Sequence, residues 1–292
     1  MREQSQGTGV PDPLAGTTPL LRYRDYKLPV KNELVSEPSQ VRKFWKVTRH
    51  TARQLQLQVR KRPKPIEPRR RRVLYFDTPT FHLHRCGFIL RQRTFLKDGI
   101  PVPSHELTLK FRQADYASVA AMDLRPAMPC TYALKFKEQA ITEFGQMRGI
   151  RVMYSINCEM QTAETIWTRN AEQLLRLFPF LERLGLQPDA ALTVVNDLAI
   201  EEIMLNLGQI DFAGHVAKPA LAIWRNQASG DFLVAEYSYR FKFRDVEAFR
   251  GYPQDLSDSL FLKLQAEAAP WLRPGTTKTM VVYGAAPPPS AD

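Results

Sequence analysis

Apolar and polar residues alternate with a period of two along much of this chain, which predicts strands whose two faces differ in chemistry. The pattern is clearest over 231–244, where Tyr237, Tyr239, Phe241 and Phe243 oppose Glu236, Ser238, Arg240 and Lys242. This stretch pairs with 220–225 around a turn at Ser229 and Gly230. The same alternation sets Leu107, Leu109 and Phe111 against Glu106, Thr108, Lys110 and Arg112, and Leu134 and Phe136 against Lys135 and Lys137. Over 149–160, Val152, Tyr154 and Ile156 oppose Arg151, Met153, Ser155 and Asn157. Residues 22–30 form a further strand with Tyr23, Asp25 and Lys27 on one face. Strands are also expected over 55–59, 192–212 and 276–283; the second puts Glu202 opposite Ile203, Leu205 and Leu207, and the third carries Lys278. Helical spacing predicts helices over 38–49, over 162–186 with a break at Pro179, and over 245–268.

The stretch 75–95 organises the rest. A short apolar strand from Val73 to Phe76 breaks at Asp77-Thr78-Pro79, because proline disfavours helical backbone in the residue before it. One helical turn follows, anchored by Phe81 and Leu83 and stopped at Gly87. The strand from Phe88 to Phe95 then sets Ile89, Arg91, Arg93 and Phe95 on one face. Two guanidinium groups side by side repel unless an anion lies between them, and arginine forks match phosphate and carboxylate oxygens.

Three helices need sheet surface to cover, and the apolar strand faces supply it. The charged faces then turn inward, giving an α+β fold: a closed antiparallel barrel whose tunnel is lined by Arg and Lys, with helices packed outside. Enclosed like charges are costly without neutralisation, so such a lumen expects a polyanion. Carboxylates among the cations would hold Mg²⁺ or Mn²⁺ bridging phosphate oxygens. A net charge of +11 over 292 residues agrees with an anionic partner. The segment 60–72 (RKRPKPIEPRRRR) reads as a loop with a dense positive field, since its three prolines exclude a sheet interior. Cys86, Cys130 and Cys158 form no C-x-x-C pair, which predicts a reducing, cytoplasmic setting, and no apolar run reaches membrane-spanning length. Residues 1–20 and 285–292 have the composition of disordered arms, leaving one domain over 21–284.

The D-T-P…L…G…L-R-x-R run from Asp77 to Arg93, followed by T-L-K at Thr108 to Lys110, resembles the CYTH family of triphosphate tunnel metalloenzymes. Glu236 and Lys278 fall where that family has such residues. The resemblance implies an eight-stranded tunnel that binds triphosphate-type substrates and hydrolyses or cyclises them with a divalent metal. The phosphate chain would lie against Lys27, Arg91, Arg93 and Lys110, with Arg112, Lys135, Arg151, Arg240, Lys242 and Lys278 placed beside them by strand parity. Asp25 and Glu236 would hold the metal and orient the attacking water, helped by Glu138 or Glu202. Two departures stand out: the family's E-x-E-x-K opening is Tyr23, Asp25 and Lys27 here, and Ser238 stands where a further glutamate is common.

Other chemistry is not signalled. Glycine-loop phosphate motifs and nucleophile elbows are missing, and His82 and His84 share no strand face. The four tryptophans, Trp45, Trp167, Trp224 and Trp271, are expected at the helix–barrel interface. The sequence thus leads to a metal-dependent hydrolase of triphosphate or polyphosphate. The alternatives are a polyphosphate- or nucleotide-binding module without turnover, and RNA binding through 60–72.

Overall fold

The computed structural model describes residues 20–60, 68–143, 149–162 and 170–284. Both expected arms, the core of the arginine-rich segment, the start of the 162–186 helix and Trp167 therefore lie mostly or wholly outside the described residues. In chain order the first half runs β1 (Leu21–Val30), α1 (Asn32–Ser36), α2 (Pro38–Gln54), β2 (Gln58–Arg60), β3 (Arg69–Asp77), α3 (His82–Arg85), β4 (Phe88–Lys97), β5 (Ile100–Gln113) and α4 (Tyr116–Ala120). The second half runs β6 (Tyr132–Ile141), β7 (Arg151–Thr162), α5 (Glu172–Leu177), α6 (Phe180–Arg183), β8 (Thr193–Val194), β9 (Ile200–Asn206), β10 (Gln209–Phe212), β11 (His215–Asn226), β12 (Phe232–Lys242), α7 (Tyr252–Glu267) and α8 (Lys278–Tyr283).

The strands pair in the order β12-β1-β6-β7-β5-β4-β3-β9-β11, and β11 returns to β12, so the sheet closes on itself. The wall therefore has nine strands and is mixed, where eight antiparallel strands were expected: β1 runs parallel to β6 and antiparallel to β12. A closed ring with an odd number of strands cannot alternate direction throughout, so a parallel neighbour is forced. Alternation places one face of each wall strand outward. Leu28, Tyr237, Tyr239 and Phe241 join Phe44, Phe261 and Leu264 beneath α2 and α7, while Leu90, Leu109, Phe136 and Ile156 join Leu174, Phe178 and Leu181 beneath α5 and α6. Helices cover the apolar outside, and the polar faces line a lumen.

Four local expectations differ from the fold. The segment 276–283 is helical: the Thr277 side chain accepts the Met280 N–H, and Gly284 ends the turn in left-handed conformation. The helix from Pro38 continues to Gln54, so the strand expected over 55–59 shrinks to Gln58–Arg60. Arg69 to Arg72 open β3 instead of lying in a loop, because β9 supplies acids opposite them: Arg70 pairs with Glu201 and Arg71 with Glu202. Over 192–212 two longer strands form, β9 and β10, after the short β8, with Ile203, Leu205 and Leu207 in the apolar layer as expected.

Candidate functional site: a cation-lined lumen

Three ion-pair networks and one cluster of cations with no carboxylate in direct contact divide the lumen among the described residues. At one end Arg93 donates to Glu106 at 2.9 Å, and Arg91 donates to Thr108 Oγ1 at 3.2 Å. The second network centres on Glu202, which accepts from Arg71 and from Trp224 Nε1 at 2.9 Å. Lys278 Nζ lies 3.6 Å from Glu202 and 3.4 Å from Glu236, over the Trp224 ring. In the third, Asp25 takes both forks of Arg240, and on the neighbouring strands Glu159 takes Lys135 and, at 3.3 Å, Lys137. α8 packs against the inward-facing Val73, Tyr75, Ile89, Trp224 and Val234 and so fills one end of the barrel.

Lys27, Lys110 and Arg112 are different. Among the described residues none has a carboxylate within 4.0 Å, and the best partner of Lys110 is Gln139 Oε1 at 3.5 Å. Lys110 and Arg112 face Asn157 and Ser155 across the β5–β7 pair, and Asn157 Oδ1, Ser155 Oγ and Arg112 Nε lack hydrogen-bond partners there. The Nε atoms of Arg91 and Arg93 are likewise unpartnered. Among the described residues the wall therefore presents both buried guanidinium donors and buried acceptors without a hydrogen-bond partner, with Arg93 Nε 3.9 Å from Glu202.

The electrostatics follow from this division. Burial, with the neighbouring Arg112 and Lys27, pushes Lys110 well below the ordinary lysine range, and burial lowers Lys27 despite Glu236 and Asp25 nearby. Burial brings Arg112 down to about 10 against the pull of Glu236, with Arg151 adding repulsion, and burial and Arg240 bring Lys137 down to about 8. The acids move the other way. Burial would raise Glu159, but Lys137 and Lys135 hold it at about 2; Arg240 overcomes burial at Asp25, Arg93 and Lys278 do so at Glu202, and Lys278 and Lys27 at Glu236.

Most residues expected at the site face the lumen: Asp25, Lys27, Arg91, Arg93, Lys110, Arg112, Lys135, Glu202, Glu236 and Lys278. Arg240 is 54% exposed at the rim, and Arg151 and Lys242 are exposed at strand ends. Glu138 is displaced: it lies outside the wall under α7, buried with Arg24, Arg250 and, through Arg24, Asp258. Its period-two neighbours explain this, since it shares a face with Phe136 and not with Lys137. Trp224 is also corrected, standing in the lumen and not at the helix–barrel interface. Sequence reading passed over Glu159, Lys137 and Arg71 as site residues. Parity from Ser155 and Asn157 leads directly to Glu159, whereas Arg71 gave no signal apart from its neighbours in a run of charge.

The four carboxylates expected to hold a metal do not assemble into a cage. Glu138 is on the far side of the wall, and Asp25, Glu202 and Glu236 each have a cation as partner. Among the described residues no three His, Cys, Asp or Glu side chains converge as a metal site would require.

No protein-family model and no curated protein matches the chain. Solved structures do. A protein from Hippeastrum, provisionally assigned as an adenylyl cyclase and described as having a dominant triphosphatase activity, is similar at 13% identity with a TM-score of 0.44, over 90% of this chain and 96% of that one. A Bacillus halodurans protein provisionally assigned as an adenylate cyclase is 12% identical with a TM-score of 0.38, over 89% and 98% of the two chains. A Vibrio parahaemolyticus protein with the same provisional assignment is 12% identical with a TM-score of 0.36, over 89% and 97%. The chain itself has a closed barrel with helices packed outside, as the alternation along its strands predicts.

Proposed function

We propose that the lumen binds the phosphate chain of a triphosphate-type ligand through Lys27, Lys110 and Arg112, with Arg91 and Arg93 gripping its flank. One observation carries this reading: among the described residues those three enclosed cations have no carboxylate within 4.0 Å, Glu236 and Asp25 acting on Lys27 and Glu236 on Arg112 only from farther off, and they lie beside guanidinium nitrogens without hydrogen-bond partners. Enclosed cations of this kind are stabilised by an anion with several oxygens, and a linear phosphate chain offers oxygens to strands on both sides of the lumen. Asp25, Glu159, Glu202 and Glu236 act here as internal counter-ions that hold the surrounding cations in place. Binding by this set needs no metal held by the protein, and any turnover would require Asp25 or Glu236 to exchange its cation for other work.

The test is calorimetric titration with tripolyphosphate, in EDTA and in Mg²⁺ or Mn²⁺, beside assays of phosphate release from tripolyphosphate and ATP. Tight binding in EDTA is the expected result. Absence of binding at millimolar ligand and low salt would overturn the reading. Metal-dependent phosphate release lost in Glu236→Gln would instead show that the carboxylates are catalytic.

A further inference from the structure

We infer that the exposed face of α2 is a second polyanion site, separate from the lumen, that takes a nucleic-acid backbone. The helix contains Arg42, Lys43, Lys46, Arg49 and Arg53 and no acidic residue between Pro38 and Gln54. Arg42, Lys46, Arg49 and Arg53 follow one another at steps of four, three and four, which at 3.6 residues per turn keeps them within roughly 60° around the axis. They make a straight stripe about 16 Å long at 1.5 Å per residue. Phe44, Thr48, Thr51 and Ala52 turn the other way into the core, so the stripe points away from the barrel.

Like charges three and four residues apart repel, and this stripe has no internal compensation. Among the described residues none of its four members forms an ion pair with a carboxylate; Arg42, Lys46 and Arg53 are exposed and Arg49 is half-buried. The lumen, by contrast, keeps acids beside most of its cations. A helix face of unrelieved positive charge, straight and one residue wide, matches the linear charge of a phosphate backbone and carries no base-reading polar pattern. The ligand is a nucleic acid bound without sequence preference, and the site does not depend on the lumen reading.

The experiment measures fluorescence anisotropy of a labelled 20-nucleotide single-stranded RNA and of a duplex of the same length, as a function of salt. The intact protein should show a log–log slope of about −3 for the single strand, corresponding to four phosphate contacts. The variant R42E/K46E/R53E should bind at least 30-fold more weakly, with a visibly flatter slope, while its tripolyphosphate affinity is unchanged. Glutamate matches arginine and lysine in helix propensity; if the reversal variant nevertheless fails to fold, R42Q/K46Q/R53Q is read in its place. RNA binding with an unaltered slope in the variant would overturn the inference. So would binding of vesicles containing anionic lipid by a protein that binds neither oligonucleotide.

Discussion

Lys110 is held in the lumen by a fold that gives it no anion, and its substitution should therefore act in opposite directions with and without ligand. Lys110→Met removes a repelling charge while keeping the aliphatic stem, so the ligand-free protein should melt higher by a few degrees. The same change should weaken tripolyphosphate binding about tenfold or more, the loss expected for one charged hydrogen bond. Differential scanning fluorimetry and titration calorimetry read the two effects, and equal signs would count against a ligand-binding role. Asp25→Asn should instead lower stability without ligand, because Arg240 loses the carboxylate it grips at the rim. At this scale the sequence was legible through parity alone: alternate residues of 22–30, 88–95 and 106–112 face the lumen together. Parity also marks its own failure, since Glu138 counts with the outward residues of its strand.

Among elements, the turn joining β3 to β4 depends on one side chain. The Asp77 carboxylate accepts the N–H groups of Thr78, Leu83 and His84 at 2.8–2.9 Å and the Tyr283 hydroxyl at 3.2 Å, tying α3 and α8 to the wall. Asp77→Ala leaves buried donors unsatisfied and should cost roughly 2–4 kcal/mol in urea unfolding. Tyr283→Phe, which removes a single bond, should cost about 1 kcal/mol. The break at Asp77-Thr78-Pro79 and the helical turn after it were readable from proline and glycine. The α8 helix was not, because Thr276 to Tyr283 is rich in β-branched and aromatic residues with strand preference. Capping by Thr277 and burial of Val282 and Tyr283 against Trp224 and Tyr75 overrode that preference. The strand character of Arg69 to Arg72 was hidden for a related reason: the acids that neutralise it lie more than a hundred residues away, at Glu201 and Glu202.

For the whole molecule, the opposed shifts of lysines and carboxylates predict stability with two slopes in pH. Lys27, Lys110 and Lys137 have folded values below the unfolded value of about 10.4, so the unfolded chain binds more protons above pH 8. The ligand-free protein should therefore gain stability from about pH 8 to pH 10, while tripolyphosphate affinity falls over the same range. Asp25, Glu159, Glu202 and Glu236 have folded values below the unfolded ones near 4, so their contribution is complete above about pH 5 and is lost as pH drops toward 2. Thermal melts across pH 3–10 check both limbs. Barrel closure with helices outside followed from the sequence, whereas strand number and direction did not, since alternation within a strand carries no information about its neighbours.

The parallel β1–β6 pair has a consequence for synthesis. Of the described strands β1 leaves the ribosome first, yet its partners are β6, more than a hundred residues later, and β12, the last described strand. The hairpin pairs β3–β4, β4–β5 and β6–β7 can form as they emerge, but the ring waits for residues 232–242 before β1 is held on both edges. Until then the basic inner face is an open sheet, accessible to any polyanion near the nascent chain. Ribosome-bound intermediates of this protein should therefore be the stickiest toward nucleic acid just before β12 appears, and lose that affinity when the seam closes.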